Sequence, residues 1–205
     1  MEEKIDRTTT ALLLLHWQND LAKPEGKSAM ELPERIKAAH TLENTQAVLK
    51  ASREKGIFVA YVRAAFRPGM PELPEPEKHA PLASSIAATK SLVDGTWGGE
   101  IIDELKPMES EMIINNYSTS GFCDTPLDSL LRNYGIKTVV ISGLVTNFVV
   151  ESTTRDAFNR GYFITILEDC VNSWSDEWHA WTLKNILPML ATISNSKAYI
   201  AALGK

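Results

Sequence analysis

Three short runs of residues follow apolar stretches of the sequence, and they hold most of the side chains that can do chemistry. The first is 16–20, which reads His-Trp-Gln-Asn-Asp. The second is 115–122, which begins Asn-Asn-Tyr-Ser, and the third is 143–150, which contains Val-Thr-Asn. Ligands of open α/β sheets bind beyond the carboxyl ends of the strands, so we expect the three runs to meet at one edge of a sheet.

His16 has the side chain best suited to acid–base chemistry in these runs. Imidazole titrates near pH 6.5, so it can serve as a general base or a general acid, with Asp20 or the acidic pair 168–169 orienting the ring. The alternative is a structural histidine whose nitrogens are satisfied within the fold. Asn116 and Asn147 leave the same choice open, because their amides can bind a polar substrate or satisfy backbone groups.

Neither cysteine has the surroundings of a nucleophile. Cys123 precedes Asp124 and has no lysine, arginine or histidine beside it to stabilise a thiolate, and Cys170 is most simply a core residue. Four histidines lie far apart in the sequence, and none forms a local pair with metal-ligand spacing: His16, His40, His79 and His179. A phosphate-binding loop and a dinucleotide fingerprint are also missing from the sequence. We therefore expect neither a metal nor a cofactor.

Six apolar runs of strand type must position these side chains. They are continuous rather than alternating, which is typical of a parallel sheet covered by helices on both faces. The runs are 11–15, 57–62, 112–114, 138–142, 162–167 and 191–193.

Stretches of helical length separate most of these runs. Residues 33–55 predict one long, charge-rich helix that ends before Gly56. Thr125 is the expected N-cap of a helix that Gly135 closes, and residues 176–190 predict a further helix whose final turn is tightened by Pro188. Residues 67–81 contain five prolines and predict a loop, which can be either a lid or interface element or a plain surface excursion.

Composition narrows the class of protein. A chain of 205 residues can bury one sizeable core, so we expect a single domain over 1–205. The net charge of -5 leaves no basic excess for nucleic acid or for an anionic membrane surface. Residues 1–10 lack the features of a secretory signal, which predicts a cytoplasmic protein.

A series of motifs then resembles the isochorismatase-like family of cysteine hydrolases, from Ala11 to the last helix. The motifs are Gln-Asn-Asp at 18–20, Phe-Arg-Pro-Gly at 66–69, Gly-Thr-Trp-Gly at 95–98, Ser-Gly-Phe at 120–122 and Thr-Asn at 146–147. The resemblance implies an α/β fold, a three-layer α/β/α sandwich around a mainly parallel six-stranded sheet. It also implies a cis peptide near Leu144 and Val145, and a homodimer or homotetramer.

The chain departs from the family at the three catalytic positions. Where the resemblance implies an aspartate, a lysine and a nucleophilic cysteine, this chain has His16, Asn116 and Val149. Losing one partner of a buried ion pair leaves an uncompensated charge, so replacing both by neutral groups suggests that His16 and Asn116 are a matched pair. We expect them to be the catalytic residues of this degenerate triad and to meet Val149 at the sheet edge.

The resemblance also implies an aromatic, largely apolar substrate pocket. Its expected substrate-binding residues are Trp17, Phe66, Trp97, Phe122, Asn147 and Val149, although Trp97 can equally be a core residue. The expected function is hydrolysis of a C–N or C–O bond in a small molecule of amide, carbamoyl or vinyl-ether type, without a cysteine nucleophile. The alternative is a catalytically inactive family member that serves as a small-molecule-binding or structural protein.

Overall fold

The computed structural model describes residues 5–78 and 80–204, and their centre is a six-stranded, all-parallel sheet. The strand order is β3-β2-β1-β4-β5-β6. The strands are β1 (Thr10–Leu15), β2 (Phe58–Ala64), β3 (Met112–Asn116), β4 (Thr138–Leu144), β5 (Phe163–Asn172) and β6 (Thr192–Ser194). All six predicted strands are therefore present, as is the predicted α/β fold class.

In residues 5–78 and 80–204, eight α-helices cover the two faces of the sheet, together with shorter turns. They are α1 (Asn19–Ala22), α2 (Leu32–Ala38), α3 (Thr41–Glu54), α4 (Pro81–Thr89), α5 (Leu127–Asn133), α6 (Glu151–Asn159), α7 (Asp176–Trp181) and α8 (Ser196–Leu203). None of the helices in the described part of the chain is long and apolar enough to cross a membrane.

Two apolar clusters form the core, one on each face of the sheet. Leu12 and Leu14 of β1 point into the cluster that includes residues of α3 and α8, whereas Leu13 and Leu15 point into the cluster that includes residues of α5 and α6. Side chains alternate between the faces of a strand, so a fully apolar β1 supplies both layers. This arrangement confirms the predicted three-layer sandwich.

The chain reverses its winding direction between β1 and β4, which are neighbours in the sheet and pair from Thr10 with Thr138 to Leu15 with Gly143. A crevice opens beyond the carboxyl ends of strands at such a switch point, and ligands of open α/β sheets bind there. The predicted chemical runs at 16–20 and 143–150 begin at this point.

The prediction of one helix over 33–55 is wrong. The segment forms α2 and α3, separated at His40, whose φ of 53° is left-handed. That conformation stops the helical hydrogen-bond ladder and turns the chain before α3 starts.

Two other segments differ in secondary structure from the prediction. Residues 67–81 contain a 3₁₀ turn at Pro76–Lys78, and Pro81 is the first residue of α4. After α7 the helix widens to π geometry at Thr182–Ile186 and ends in the 3₁₀ turn Leu187–Met189. Pro188 lies in that last turn, as predicted.

Candidate active site

His16 and Asn116 are hydrogen-bonded at the carboxyl edge of the sheet. The distance between His16 Nε2 and Asn116 Oδ1 is 3.0 Å, although the residues are a hundred positions apart in sequence. His16 follows β1 in a left-handed conformation, with φ 52°, and its backbone N–H donates to the carbonyl of Val62 on β2. Asn116 is the last residue of β3, so the topology brings the two side chains across β2.

The hydrogen bonds of Asn116 determine the tautomer of His16. Asn116 Nδ2 donates to the carbonyls of Ser118 and Ser120, each at 3.0 Å, and carbonyl oxygens can only accept. Asn116 Oδ1 is therefore the atom that faces His16, and His16 Nε2 must carry the proton. In the neutral ring the remaining nitrogen, Nδ1, then holds a lone pair.

Among the described residues, His16 Nδ1 has no hydrogen-bond partner, although the residue as a whole is buried. Arg35 Nε is the only described side-chain nitrogen or oxygen that is both fully shielded from solvent and without a partner, so His16 Nδ1 is not fully shielded. Burial of the ring lowers the pKa of His16 from 6.5 to about 4, against the opposing effect of the Asn116 hydrogen bond. At neutral pH the imidazole is therefore uncharged, and its Nδ1 lone pair is not engaged by any described residue.

Val149 occupies the turn that follows β4, and it supplies no reactive group. The turn is one of π geometry, Thr146–Val150, and it comes directly after the cis peptide between Leu144 and Val145. The Val149 side chain is buried in the same apolar cluster as Phe122 and Leu15. The implied cis peptide is thus present, while direct contact of Val149 with His16 stays a prediction.

Asn147, in the same turn, is half-buried and tied to the end of β5. Its Oδ1 accepts from Ser173 Oγ at 2.6 Å. Thr146 Oγ1 lies 2.9 Å from Nδ1 of His179, which comes from α7. These two contacts join the turn that follows β4 to the segments that follow β5.

The predicted aromatic residues lie in different places. Trp17 is buried in the core, with its indole N–H donating to Ser142 Oγ at 3.1 Å, and Phe66 and Phe122 are also buried. Trp97 is 54% exposed. Of the predicted aromatic lining, Trp97 alone presents a large open surface, and Trp17 packs beneath the sheet edge.

A network anchored on 18–20 holds the turn that carries Trp97. Asn19 Nδ2 donates to the Trp97 carbonyl at 2.7 Å, and Gln18 Nε2 donates to the Gly99 carbonyl at 2.8 Å. Asp20 accepts from the backbone N–H of Leu92 at 2.7 Å. The Gln-Asn-Asp motif therefore fixes the 92–99 segment beside the site.

Sequence reasoning missed Tyr117 and His179. Tyr117 follows Asn116, is 45% exposed and packs on Phe66 with ring centroids 6.2 Å apart. It stood within the second chemical run, so its position was a usable signal. His179 is far from the three runs in sequence, and nothing local indicates that it reaches Thr146.

The two cysteine thiols among the described residues have different surroundings. Cys123 is exposed with its sulfur 3.6 Å from Asp124 Oδ2, and burial raises the pKa of the Cys170 thiol. Residues 5–78 and 80–204 contain no group of three or more His, Cys, Asp or Glu arranged to hold a metal. His79, considered among the histidines, lies outside the described residues.

Comparison with known proteins identifies the family. The isochorismatase domain matches residues 10–198. The chain belongs to the isochorismatase family. Members of this family act on small molecules, and the chain is an isochorismatase-family hydrolase by descent.

Curated relatives within the family are amidohydrolases. The chain is 33% identical over 183 residues to the ureidoacrylate amidohydrolase RutB of Caulobacter segnis, covering 85% of this chain and 77% of that protein. It is 31% identical over 210 residues to RutB of Methylobacterium radiotolerans, covering 98% and 81%.

Solved structures share the fold. A cysteine hydrolase from Pseudomonas syringae pv. phaseolicola superposes with a TM-score of 0.85 at 22% identity, over 98% of this chain and 95% of that chain. An isochorismatase-like hydrolase from Alkaliphilus metalliredigens gives 0.77 at 28% identity, over 99% and 98%.

Proposed function

We propose that this protein hydrolyses the C–N bond of a small amide or carbamoyl compound by direct attack of water, with His16 as the general base. The observation that supports this is the orientation of His16, with Nε2–H held by Asn116 and Nδ1 without a partner among the described residues. A base oriented by a third group is the arrangement that acid–base hydrolysis needs.

The step balances without a covalent enzyme intermediate. Nδ1 of His16 takes a proton from water while the water oxygen bonds to the carbonyl carbon. The tetrahedral species then collapses with cleavage of the C–N bond, and the proton moves from Nδ1 to the leaving nitrogen. Asn116 keeps the ring oriented throughout, and we infer that Asn147 positions the substrate.

The low pKa of His16 favours this chemistry over vinyl-ether cleavage. A pKa of about 4 leaves the ring unprotonated at neutral pH, which is the form that a base requires. Vinyl-ether cleavage needs a proton donor, and a neutral imidazole with Nε2–H committed to Asn116 is poorly suited to that role. The amidohydrolase names of the relatives support the same choice of bond.

The test is a turnover assay on amides, ureido compounds and vinyl ethers with His16→Gln beside the wild type. We expect hydrolysis of the amide or ureido class and a fall in kcat of roughly 10²–10⁴ in His16→Gln, the range for loss of a positioned base. His40→Asn is the matched control, because His40 is an exposed histidine, also left-handed, at the junction of α2 and α3. Equal rates in His16→Gln and wild type would contradict the proposal.

Thiol chemistry provides an independent check. If no cysteine takes part, alkylation by iodoacetamide and the substitution Cys123→Ser leave the measured rate nearly unchanged, since Cys123 is the exposed thiol. Loss of activity in both experiments would place a thiol in the reaction and overturn the water mechanism.

A silent binding protein is the competing function, and the same low pKa favours it. A base that is hard to protonate accepts a proton from water only weakly, and Val149 adds no nucleophile. If the protein only binds small molecules, a compound of the panel should raise Tm without being hydrolysed. His16→Gln should then change the size of the Tm increase, and no hydrolysis rate should be measurable in either protein.

A further inference from the structure

A cavity lies at the opposite end of the sheet from His16. It has a volume of about 1030 Å³, which is at the upper end of the range for small-molecule sites. Its floor is formed by residues near the amino ends of β1, β4, β5 and β6, so we call it the amino-end cavity. Thr10 and His16 stand at opposite ends of β1, roughly 20 Å apart at about 3.3 Å per residue.

The floor of the amino-end cavity is a row of threonines on one face of the sheet. Thr10 pairs with Thr138, Val140 pairs with Thr165, and Thr165 pairs with Thr192, and residues paired in register point to the same face. Each of these residues lines the cavity. The floor therefore alternates methyl groups with hydroxyls across four strands.

The hydroxyls of this floor are free. The hydroxyls of Thr10, Thr138 and Thr165 form no hydrogen bond with any described residue. None of the three oxygens is fully shielded from solvent, because Arg35 Nε is the only described side-chain nitrogen or oxygen that is both fully shielded and without a partner. Thr10 is 2% exposed as a residue, so its accessible oxygen is reached from within the cavity. A hydroxyl that is free and reachable is a donor and an acceptor for a ligand.

The walls are apolar and carry little charge. Helix α8 presents Ala198 and Ala202 one turn apart, so small side chains leave the space open, and Phe163 borders it from β5. The charged side chain in the lining is Asp6, whose carboxylate already accepts from the backbone N–H and the hydroxyl of Thr8. An anionic ligand would meet no counter-ion there, only the like charge of Asp6.

We propose that the amino-end cavity binds a small uncharged molecule with an aromatic or apolar body and one hydrogen-bonding edge. The apolar walls bury the body, and the free threonine hydroxyls bond the polar edge. The cavity lining does not include His16 or Asn116, so this proposal is independent of the proposed hydrolase function.

The experiment compares three probes of one shape by ligand-observed NMR and calorimetry on the full chain. Benzyl alcohol has a body and a hydroxyl, toluene has the body alone, and benzoate carries a charge. We expect binding in the order benzyl alcohol, toluene, benzoate, with benzoate not detected at the same millimolar concentrations. Equal binding of all three, or of none, overturns the proposal.

Variants locate the binding. Thr165→Val keeps the shape and removes one hydroxyl, so benzyl alcohol should bind about fivefold more weakly, within the range for one hydrogen bond, while toluene is unaffected. Ala198→Phe fills the space and should abolish both, with circular dichroism confirming the fold. His16→Gln is the control, and unchanged binding in Ala198→Phe would overturn the site.

The competing occupant is a second copy of the chain, because Phe158 and Phe163 are 53% and 71% exposed at the cavity. Light scattering distinguishes the two. If Phe163→Glu halves the particle mass and the probes do not bind the wild-type assembly, the cavity is an interface between copies and the small-molecule proposal is overturned.

Discussion

At the scale of single residues, the neutrality of the His16 and Asn116 pair is the feature with the widest effect. Both residues are buried, at 8% and 1% exposure, and their hydrogen bond uses a neutral donor and a neutral acceptor. A buried ion pair at the same two positions would need both charges present, because either alone is left uncompensated. The pair therefore constrains which substitutions the site can accept.

Reinstating the family's charges one at a time should destabilise the fold. His16→Asp alone or Asn116→Lys alone buries an unpaired charge and should lower the free energy of unfolding by about 3–5 kcal/mol. The double variant should recover part of this loss, since each charge then has a partner. Urea denaturation of the four proteins measures the coupling, and strictly additive losses would contradict the matched pair.

Acidification should weaken the fold through His16. Its pKa is about 4 in the folded protein and near 6.5 when unfolded, so the unfolded chain binds the proton more readily. The stabilisation is complete above pH 6.5 and is lost as the pH falls towards 4, by on the order of 3 kcal/mol. Denaturant unfolding between pH 7 and 4.5 should give a shallower pH dependence in His16→Gln than in wild type.

His179 is a second, half-buried histidine that contributes to the pH dependence of stability. Burial lowers its pKa too, so it contributes in the same direction and remains in both proteins. An identical pH dependence for wild type and His16→Gln would show that His16 does not bear the effect.

The pairing of His16 with Asn116 could be predicted from sequence, whereas the placement of the aromatic residues could not. His16 follows β1 and Asn116 ends β3, so both lie at the carboxyl edge of the sheet, and the resemblance to the family implied that the two positions form a pair. Trp17 depends on the backbone of His16, whose φ of 52° turns the chain and directs the indole to Ser142. A non-glycine left-handed residue has no reliable local signal.

At the scale of elements, the short 3₁₀ turn Trp97–Gly99 is the segment most dependent on its neighbours. Asp20 of α1 receives N–H donors from Lys27 and Leu92 and lies against Gly98. A β-carbon on Gly98 would overlap the Asp20 carboxylate, so only glycine permits this approach.

Gly98→Ala should therefore displace the Trp97 turn and destabilise the protein by about 1–3 kcal/mol, the range for overpacking. Gly204→Ala is the matched control, since its β-carbon would make an ordinary contact of 3.4 Å with the Ala201 carbonyl. Thermal unfolding measures both. Equal stability of the two variants would contradict the packing argument.

The strands could be predicted more fully than the helix boundaries. Six continuous apolar runs became six strands, since burial on both faces leaves a strong pattern. The break between α2 and α3 was missed because neither glycine nor proline marks it, and His40 takes the left-handed conformation instead. The five prolines of 67–81 predicted a loop, but this segment contains a 3₁₀ turn and the first residue of α4, because proline is also favoured at the start of helices.

At the scale of the whole molecule, exposed aromatic side chains favour assembly. Trp178 and Trp181 of α7 are 49% and 62% exposed, and Trp97 is 54% exposed. Contiguous exposed apolar patches mark interfaces, and Trp178 and Trp181 are three residues apart on one helix. We propose a homodimer or homotetramer, in line with the resemblance to the family.

Light scattering at micromolar concentration should give a mass that is a multiple of 22.7 kDa. Trp181→Glu should reduce that mass if α7 lies in the contact, because a charge in an apolar interface is costly. Met108→Glu, a similarly exposed apolar residue of a different segment, is the control. A monomeric mass for the wild type would count against assembly.

The central place of β1 in the sheet has a consequence for how the protein is made. Thr10–Leu15 leaves the ribosome before its partner β4, which is synthesised about 130 residues later, and β2 alone cannot cover the second edge of β1. At 5–20 residues per second, the apolar β1 waits several seconds or more with an open edge. Nascent chains truncated before residue 138 should accordingly depend on chaperones, and translation speed over 65–137 should affect soluble yield more than speed elsewhere.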